Sequence, residues 1–194
     1  MRIYDISQEV FSCTVYPGDP RPEAEALSRM EAGELYNLTA FSMCAHNGTH
    51  VDAPFHFIWD GKTIERLPLE AFVGPCYLAR PTGDPDAAAA EEMAAQARTQ
   101  GCGKLLIAGD VVVTAEAARV FAEAGFDLIG VERASVGPVD APMEVHLLLL
   151  RREIVLLEGL VLADIPEGRY FLNAAPLNLA GADGAPCRAW LMEL

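Results

Sequence analysis

The sequence has little positive charge. Its 14 Lys and Arg residues are outnumbered by 28 Asp and Glu residues, which gives a formal net charge of −14 at pH 7. A surface this acidic repels the phosphates of nucleic acids and the headgroups of anionic lipids. We therefore expect no nucleic acid and no membrane among the partners of this protein.

Paired cysteines and long apolar segments are also missing. The five cysteines are dispersed without a C-x-x-C pair, which is typical of a reducing compartment and not of a disulfide framework. Charged residues interrupt the most apolar stretch, residues 145–165, so it cannot span a bilayer. The N-terminal sequence MRIYDISQEV lacks the apolar run of a signal peptide. These absences predict a cytoplasmic protein.

The remaining pattern predicts one domain, residues 1–194, of the mixed α/β class. Asp84-Pro85-Asp86 and the alanine-rich run to about Gln100 favour a helix, and Thr114 is a plausible N-cap for a second helix that ends near Gly125. Buried strands are predicted on either side of that second helix, which indicates a parallel pair with a right-handed crossover. The predicted strands cover residues 2–16, 35–45, 105–107, 127–131, 154–157, 170–174 and 188–192.

Histidine is rare, and three of the four histidines lie in one segment, HNGTHVDAPFH, residues 46–56. Asn47-Gly48 favours a turn and Pro54 prevents a continuous helix, so an extended segment after the turn is expected. His50 and Asp52 would then project from the same face of that segment, and the turn could bring His46 back toward them. Two imidazoles and a carboxylate suit Zn²⁺, Mn²⁺ or Fe²⁺, and three protein ligands leave positions for water and substrate. The alternative is a polar loop with surface or hydrogen-bonded histidines.

The same segment resembles the H-x-G-T-H-x-D-x-P-x-H motif of the cyclase family of metal-dependent hydrolases, which includes bacterial kynurenine formamidases and isatin hydrolases. Further segments resemble that family: TVYPGDP, VHLLLLRREIVLLEGL and the closing stretch GRYFLNAAPLNLAGADGAPCRAWL. The resemblance implies a swivelling β/β/α fold with a mixed sheet and a central strand–helix–strand unit. It also implies a homodimer or homotetramer in which a neighbouring subunit often completes the pocket.

The resemblance implies one or two divalent ions per chain, Zn²⁺ first and Mn²⁺ as the alternative. The first ion would be held by His46, His50 and Asp52. Asp52 would bridge to a second ion, held also by His56, His146 and Glu158. The catalytic residues would be His56, a proton shuttle if one ion is bound, and Glu158, a ligand and possible proton acceptor. Independently, a lone carboxylate in the apolar strand around Glu158 would be costly unless paired or metal-bound, whereas His146 could be a hydrogen-bonded core residue.

The implied reaction is hydrolysis of the C–N bond of a small amide by metal-activated hydroxide, as in the removal of formyl from N-formylkynurenine. A cyclic amide such as isatin is a second candidate substrate. A non-catalytic protein that binds metal or a small acid is a third hypothesis. Tyr16 and Pro17 are the candidate substrate wall, and Arg133 could receive a substrate carboxylate.

The chain departs from the family pattern in two places near the implied pocket. Glu132, Arg133 and Gly137 replace two aspartates and a threonine of the family's G-x-D-T-x-S-x-D segment. The loop after Ile107 is also shorter than is usual in the family. Neither departure removes an implied metal ligand, so the departures concern the choice of substrate.

Overall fold

The structure is a computed structural model that describes residues 1–193. Within these residues the chain forms eleven strands and three α-helices. The strands are β1 Ile3–Asp5, β2 Glu23–Ser28, β3 Leu38–Ser42, β4 His50–Asp52, β5 Val73–Ala79, β6 Lys104–Ile107, β7 Leu128–Val131, β8 Val155–Glu158, β9 Gly168–Asn173, β10 Gly184–Pro186 and β11 Trp190–Glu193. The helices are α1 Ala87–Thr99, α2 Ala115–Ala124 and α3 Met143–Leu150. No helix of the described residues is long and apolar enough to cross a membrane.

Nine strands form one mixed sheet in the order β1-β11-β9-β5-β6-β7-β8-β4-β10. The four strands at its centre, β5 to β8 in that order, run parallel, and the flanking pairs are antiparallel. The three helices pack against one face of the central strands and form one apolar core with them. A second core lies on the opposite face, where the flanking strands curl over the centre.

The central strand–helix–strand unit is confirmed. β6 and β7 are parallel neighbours joined by α2. The Thr114 hydroxyl caps α2 by accepting a hydrogen bond from the Ala117 backbone N–H, and Gly125 ends the helix in the left-handed conformation at φ 76°. Asp86 caps α1 in the same way by accepting from the Ala89 N–H. Local capping chemistry therefore sets both helix boundaries, as the sequence predicts.

The predicted strand over residues 2–16 is too long. Only Ile3–Asp5 is a strand, because Val10–Ser12 forms a short 3₁₀ turn whose N–H groups donate to the Glu9 carboxylate. The strand predicted over residues 35–45 is likewise shorter and covers Leu38–Ser42. β2, β5, β10 and α3 were not predicted. The α3 sequence MEVHLLLL is apolar on nearly every side, so it shows no helical periodicity. In β5, the pair Gly74-Pro75 is typical of a turn and therefore argued against a strand.

A two-stranded antiparallel ribbon, β2 with β3, forms a separate sheet outside the main one. Most of its residues are exposed, and they include large apolar side chains. Exposed large apolar residues lie at its tip and along β3: Met30, Leu35, Tyr36 and Phe41 are 60%, 91%, 58% and 59% exposed. A ribbon of this kind buries little apolar surface within its own chain.

Candidate metal centre

β4 places two of the candidate ligands side by side. It lies between β8 and β10, with His50 opposite Glu158 and Asp52 opposite Gly184. His50 and Asp52 project from the same face of the strand, as the alternation of side chains requires, and His50 Nε2 is 3.4 Å from Asp52 Oδ1. His50 Nε2 is also 3.4 Å from Glu158 Oε2. The sheet register itself therefore brings these three residues together.

His46 reaches the same site through a reversal of the chain. The Asn47 N–H donates to the Cys44 carbonyl, the Asn47 side chain accepts from the Cys44 N–H, and Gly48 takes a left-handed conformation at φ 66°. This geometry brings His46 Nδ1 to 2.8 Å from Asp52 Oδ1. The turn that Asn47-Gly48 predicted is present and has the predicted consequence.

His56 and His146 approach from two other elements. Pro54 opens a 3₁₀ turn that ends at His56, which is consistent with its exclusion of a longer helix. His146 lies on α3, donates from Nδ1 to the Pro142 carbonyl, and places Nε2 3.5 Å from Glu158 Oε1 and 3.7 Å from Asp52 Oδ2. The ring of Phe57 stacks on His146 at 4.4 Å between ring centroids. All six implied ligands therefore lie in one cluster.

The cluster concentrates ionisable groups in a region that excludes water. His50, Asp52, His146 and Glu158 are each at most 3% exposed. Burial would lower the pKa of His46, but hydrogen bonds to Asp183 and Asp52 outweigh it and raise that pKa to about 11. Burial likewise opposes charge on His50, whose contacts with Asp52 and Glu158 raise its pKa to about 9. Burial lowers the pKa of His56. Without an ion, protons on the imidazoles thus compensate the buried carboxylates.

A divalent cation fits this donor set. Asp52 Oδ2 is fully buried and has no hydrogen-bond partner, and an unsatisfied buried carboxylate oxygen is costly. Two groups of potential ligand atoms within 4.8 Å of one another share Asp52: one with His46 and His50, the other with His56 and His146. The first group contains the residues that the resemblance implies for the first ion, and the second contains those implied for the second ion except Glu158. Imidazole and carboxylate donors without thiolates suit both Zn²⁺ and Mn²⁺, so the donor set alone does not identify the ion.

A cavity of about 400 Å³ opens onto this cluster, and Tyr16 lies on its wall. Pro17 and Arg133 line a neighbouring cavity of about 570 Å³ that shares Tyr16 with the first. Tyr16 is fixed by donating its hydroxyl hydrogen to the Val139 carbonyl, and Arg133 Nη1 lies 2.6 Å from Asp110 Oδ1. Of the three candidate substrate residues, the structure therefore places only Tyr16 in the cavity that opens onto the candidate ligands.

One residue of the site was not identified from the sequence. Asp183 Oδ2 lies 2.9 Å from His46 Nε2 and 3.2 Å from His56 Nδ1. Together the three residues form a further group whose ligand atoms lie within 4.8 Å of one another. The only signal was its position in the closing stretch, in the step Asp183-Gly184, which has the composition of an ordinary turn.

Comparison with known proteins agrees with this geometry. The family model Cyclase, described as "Putative cyclase", matches residues 4–138. A kynurenine formamidase of Salinibacter ruber is 37% identical over 209 aligned positions, which cover 100% of this chain and 98% of that protein. A kynurenine formamidase of Erythrobacter litoralis is 32% identical, with 100% and 94% covered.

A solved structure described as a potential metal-dependent hydrolase with cyclase activity superposes with a TM-score of 0.83 at 30% identity, covering 98% of this chain and 96% of that one. The mixed α/β fold class is therefore confirmed. With the family match, the full-length relatives and the clustered histidines and carboxylates in agreement, the chain belongs to the cyclase family of metal-dependent hydrolases.

Proposed function

We propose that this protein hydrolyses the C–N bond of a small amide and acts on aryl formamides of the N-formylkynurenine type. The observation that carries the proposal is the unpartnered Asp52 Oδ2 at the centre of four imidazoles, beside a cavity large enough for a small molecule. The two relatives named kynurenine formamidase, aligned along the whole chain, support this reaction class. The proposed location is the cytoplasm, because all five cysteines are free thiols.

The proposed cofactor is one or two divalent ions, with Zn²⁺ preferred and Mn²⁺ as the alternative. The first would be held by His46, His50 and Asp52, and the second by Asp52, His56, His146 and Glu158. When bound, a divalent cation supplies Lewis acidity and lets water ionise near pH 7. Four of the proposed ligand residues are at most 3% exposed, which keeps this chemistry away from bulk solvent.

The protein's own groups handle protons and orient the substrate. The His56 side chain is 27% exposed and lines the cavity, so it can exchange a proton with a substrate there. Glu158 is fixed by accepting a hydrogen bond of 2.7 Å from the Val136 N–H at Oε1. This contact holds the carboxylate in place, so that Glu158 can serve as ligand and proton acceptor without moving.

The cavity walls suit an aromatic amide that carries a carboxylate. Tyr16 and the Phe57 ring border the metal cluster and offer flat apolar surface. Arg133 is one cavity away, paired with Asp110, whose side chain is 88% exposed. An exposed ion pair of this kind contributes little, so a substrate carboxylate can replace Asp110. Pro17 stiffens the loop that holds Tyr16.

The direct test is turnover by the purified, metal-loaded protein on N-formylkynurenine and, in parallel, on isatin. We expect hydrolysis of the formamide with a higher kcat/KM than ring opening of isatin. Faster hydrolysis of isatin would show that the substrate class at this site is a cyclic amide and not an aryl formamide. Tight binding of metal and of aryl acids, with no hydrolysis of either substrate, would instead indicate a binding protein and overturn the proposal.

We also propose that the working form is a homodimer or homotetramer, assembled through the β2–β3 ribbon. The ribbon and its tip expose several large apolar side chains, including Leu35 and Phe41, and exposed apolar surface beyond scattered single residues marks interfaces. Tyr16 and Asp19 line the site, and their loop leads within a few residues into β2, so a second copy packed on the ribbon would also hold this loop in place.

A charge placed on the ribbon should therefore break the assembly. We expect the wild-type protein to elute at a multiple of 20.9 kDa in light-scattering chromatography, and Phe41→Glu to shift it toward the monomer. Glu25→Gln, on the same exposed ribbon, is the control and should leave the mass unchanged. A monomeric wild-type protein at micromolar concentration would contradict this proposal.

A further inference from the structure

Asp183 connects two histidines that have different proposed tasks. Its Oδ2 atom is within hydrogen-bond distance of both His46 Nε2, at 2.9 Å, and His56 Nδ1, at 3.2 Å. The two rings stack on each other with centroids 4.1 Å apart and planes 29° apart. The same carboxylate oxygen thus contacts both His46, a candidate metal ligand, and His56, the candidate proton shuttle.

The backbone around Asp183 holds it against these rings. Its carbonyl accepts a hydrogen bond of 2.8 Å from the Ala53 N–H, and the next residue, Gly184, pairs with Asp52 across the sheet. A Cβ atom at Gly184 would lie 2.7 Å from His46 Cε1, so the lack of a side chain at Gly184 lets the His46 ring approach the strand this closely. The position of Asp183 therefore follows from the same strand pairing that brings the candidate metal ligands together.

An ionised carboxylate only accepts hydrogen bonds, so a ring nitrogen facing it must carry the proton. At His46 both nitrogens face a carboxylate in the metal-free protein, Nδ1 facing Asp52 at 2.8 Å and Nε2 facing Asp183 at 2.9 Å. An ion held by Asp52 would displace the proton of Nδ1, and Asp183 would keep the N–H on Nε2. At His56 it puts N–H on Nδ1 and leaves the lone pair on Nε2. Which nitrogen of a histidine is free is commonly set by the partner of the other nitrogen.

We propose that Asp183 is a positioning residue that selects the ring tautomers of His46 and His56, giving one a free nitrogen for the metal and the other a free nitrogen for proton transfer. The second part rests on the proposed amide hydrolysis, and the first does not. Asp183 contrasts with Asp52 in exposure: its side chain is 43% exposed, whereas that of Asp52 is fully buried at the centre of the cluster. That environment suits a carboxylate that orients ligands.

The first test needs no variant and no turnover. Because the chain has four histidines, the ring nitrogens of the zinc-loaded protein can be assigned by nitrogen-15 NMR. We expect a proton on Nε2 of His46 and on Nδ1 of His56. A metal-loaded protein in which Nε2 of His56 carries the proton and Nδ1 does not would overturn the proposal, whatever the substrate.

The second test compares Asp183→Ala and Asp183→Glu with Asp60→Asn, an exposed control in the loop after His56. For Asp183→Ala we expect zinc affinity, from chelator competition, to fall about 10–100-fold at unchanged stoichiometry under saturation. The kcat should fall at least about 100-fold with KM within about twofold, because proton transfer is impaired and substrate contacts are not. Asp183→Glu should recover part of both losses, since it restores the carboxylate.

The outcomes separate the two proposals. If Asp183→Ala loses an equivalent of zinc even at saturation, Asp183 is a ligand and the positioning role is wrong. Unchanged zinc affinity and unchanged NMR tautomers in a folded Asp183→Ala protein would also overturn it. If the wild-type protein hydrolyses no amide, the proposed function fails, but zinc affinity and tautomers still decide the role of Asp183 toward His46.

Discussion

Replacing His56 with alanine is expected to remove most of the turnover, with kcat reduced about 10²–10⁴-fold on the formamide substrate. A positioned general acid–base group contributes about this much, and His56 is the one candidate ligand whose ring is substantially open to the cavity. The measurement is steady-state kinetics on metal-loaded protein, with thermal unfolding as the check on folding. Asp60→Asn, exposed in the same loop, is the control and should retain full activity.

The metal content of His56→Ala separates the two versions of the site. If one ion is bound and His56 is only a proton shuttle, the variant keeps that ion. If two ions are bound and His56 is a ligand, the variant loses affinity at the second position, where Asp52 and His146 are its partners. Activity that survives the substitution untouched would contradict both versions and remove His56 from the mechanism.

Replacing Asp52 with asparagine should abolish metal binding at both positions, because Asp52 belongs to both candidate ligand groups. In the wild-type protein, an ion at about 1,000 times its dissociation constant stabilises the folded state by about 4 kcal/mol. For a chain of this length that corresponds to a rise in Tm of about 8–16 °C. Asp52→Asn should show no metal-induced rise, and turnover should fall to background. A metal-dependent Tm shift of wild-type size in the variant would contradict the assignment of Asp52.

The pH dependence of metal binding follows from the same buried groups. In the metal-free protein the pKa of His46 is raised to about 11 and that of His50 to about 9. Both rings are therefore doubly protonated, positively charged imidazolium groups at pH 7. An ion must displace these protons, because a protonated imidazole nitrogen is not a ligand. Metal affinity should therefore rise with pH over pH 6–9, and calorimetry in buffers of different ionisation enthalpy should detect proton release. Affinity independent of pH would contradict this.

The grouping of His46, His50 and Asp52 could be predicted from the sequence because it depends on local rules. Asn47-Gly48 requires a turn, and His50 and Asp52 share a face of any extended segment. The contributions of His146 and Glu158, by contrast, came from resemblance. Nothing in an apolar run indicates that its histidine faces β4, six strands and helices earlier in the chain, and α3 itself was missed because its sequence lacks helical periodicity.

Asp183 illustrates what local rules do not reach. Its role depends on pairing between β10 and β4, more than a hundred residues apart, and such a pairing carries no signal in a single sequence. The location of Arg133 was equally inaccessible. Its side chain points into the cavity beyond Tyr16 because Asp110, on another loop, is its partner. Long-range pairing, and not residue type, separates what could be predicted here from what could not.

β4 lies between β8 and β10, so the candidate metal centre forms only when β4 pairs with both neighbours in the correct register. A slip of β4 by one residue would turn Val51 toward the ligands and send His50 and Asp52 to the opposite core. A misaligned chain could then hold no ion at this place. Metal therefore binds only to a sheet in which β4 is correctly aligned. An ion present during folding would stabilise that alignment and leave the shifted one without this stabilisation.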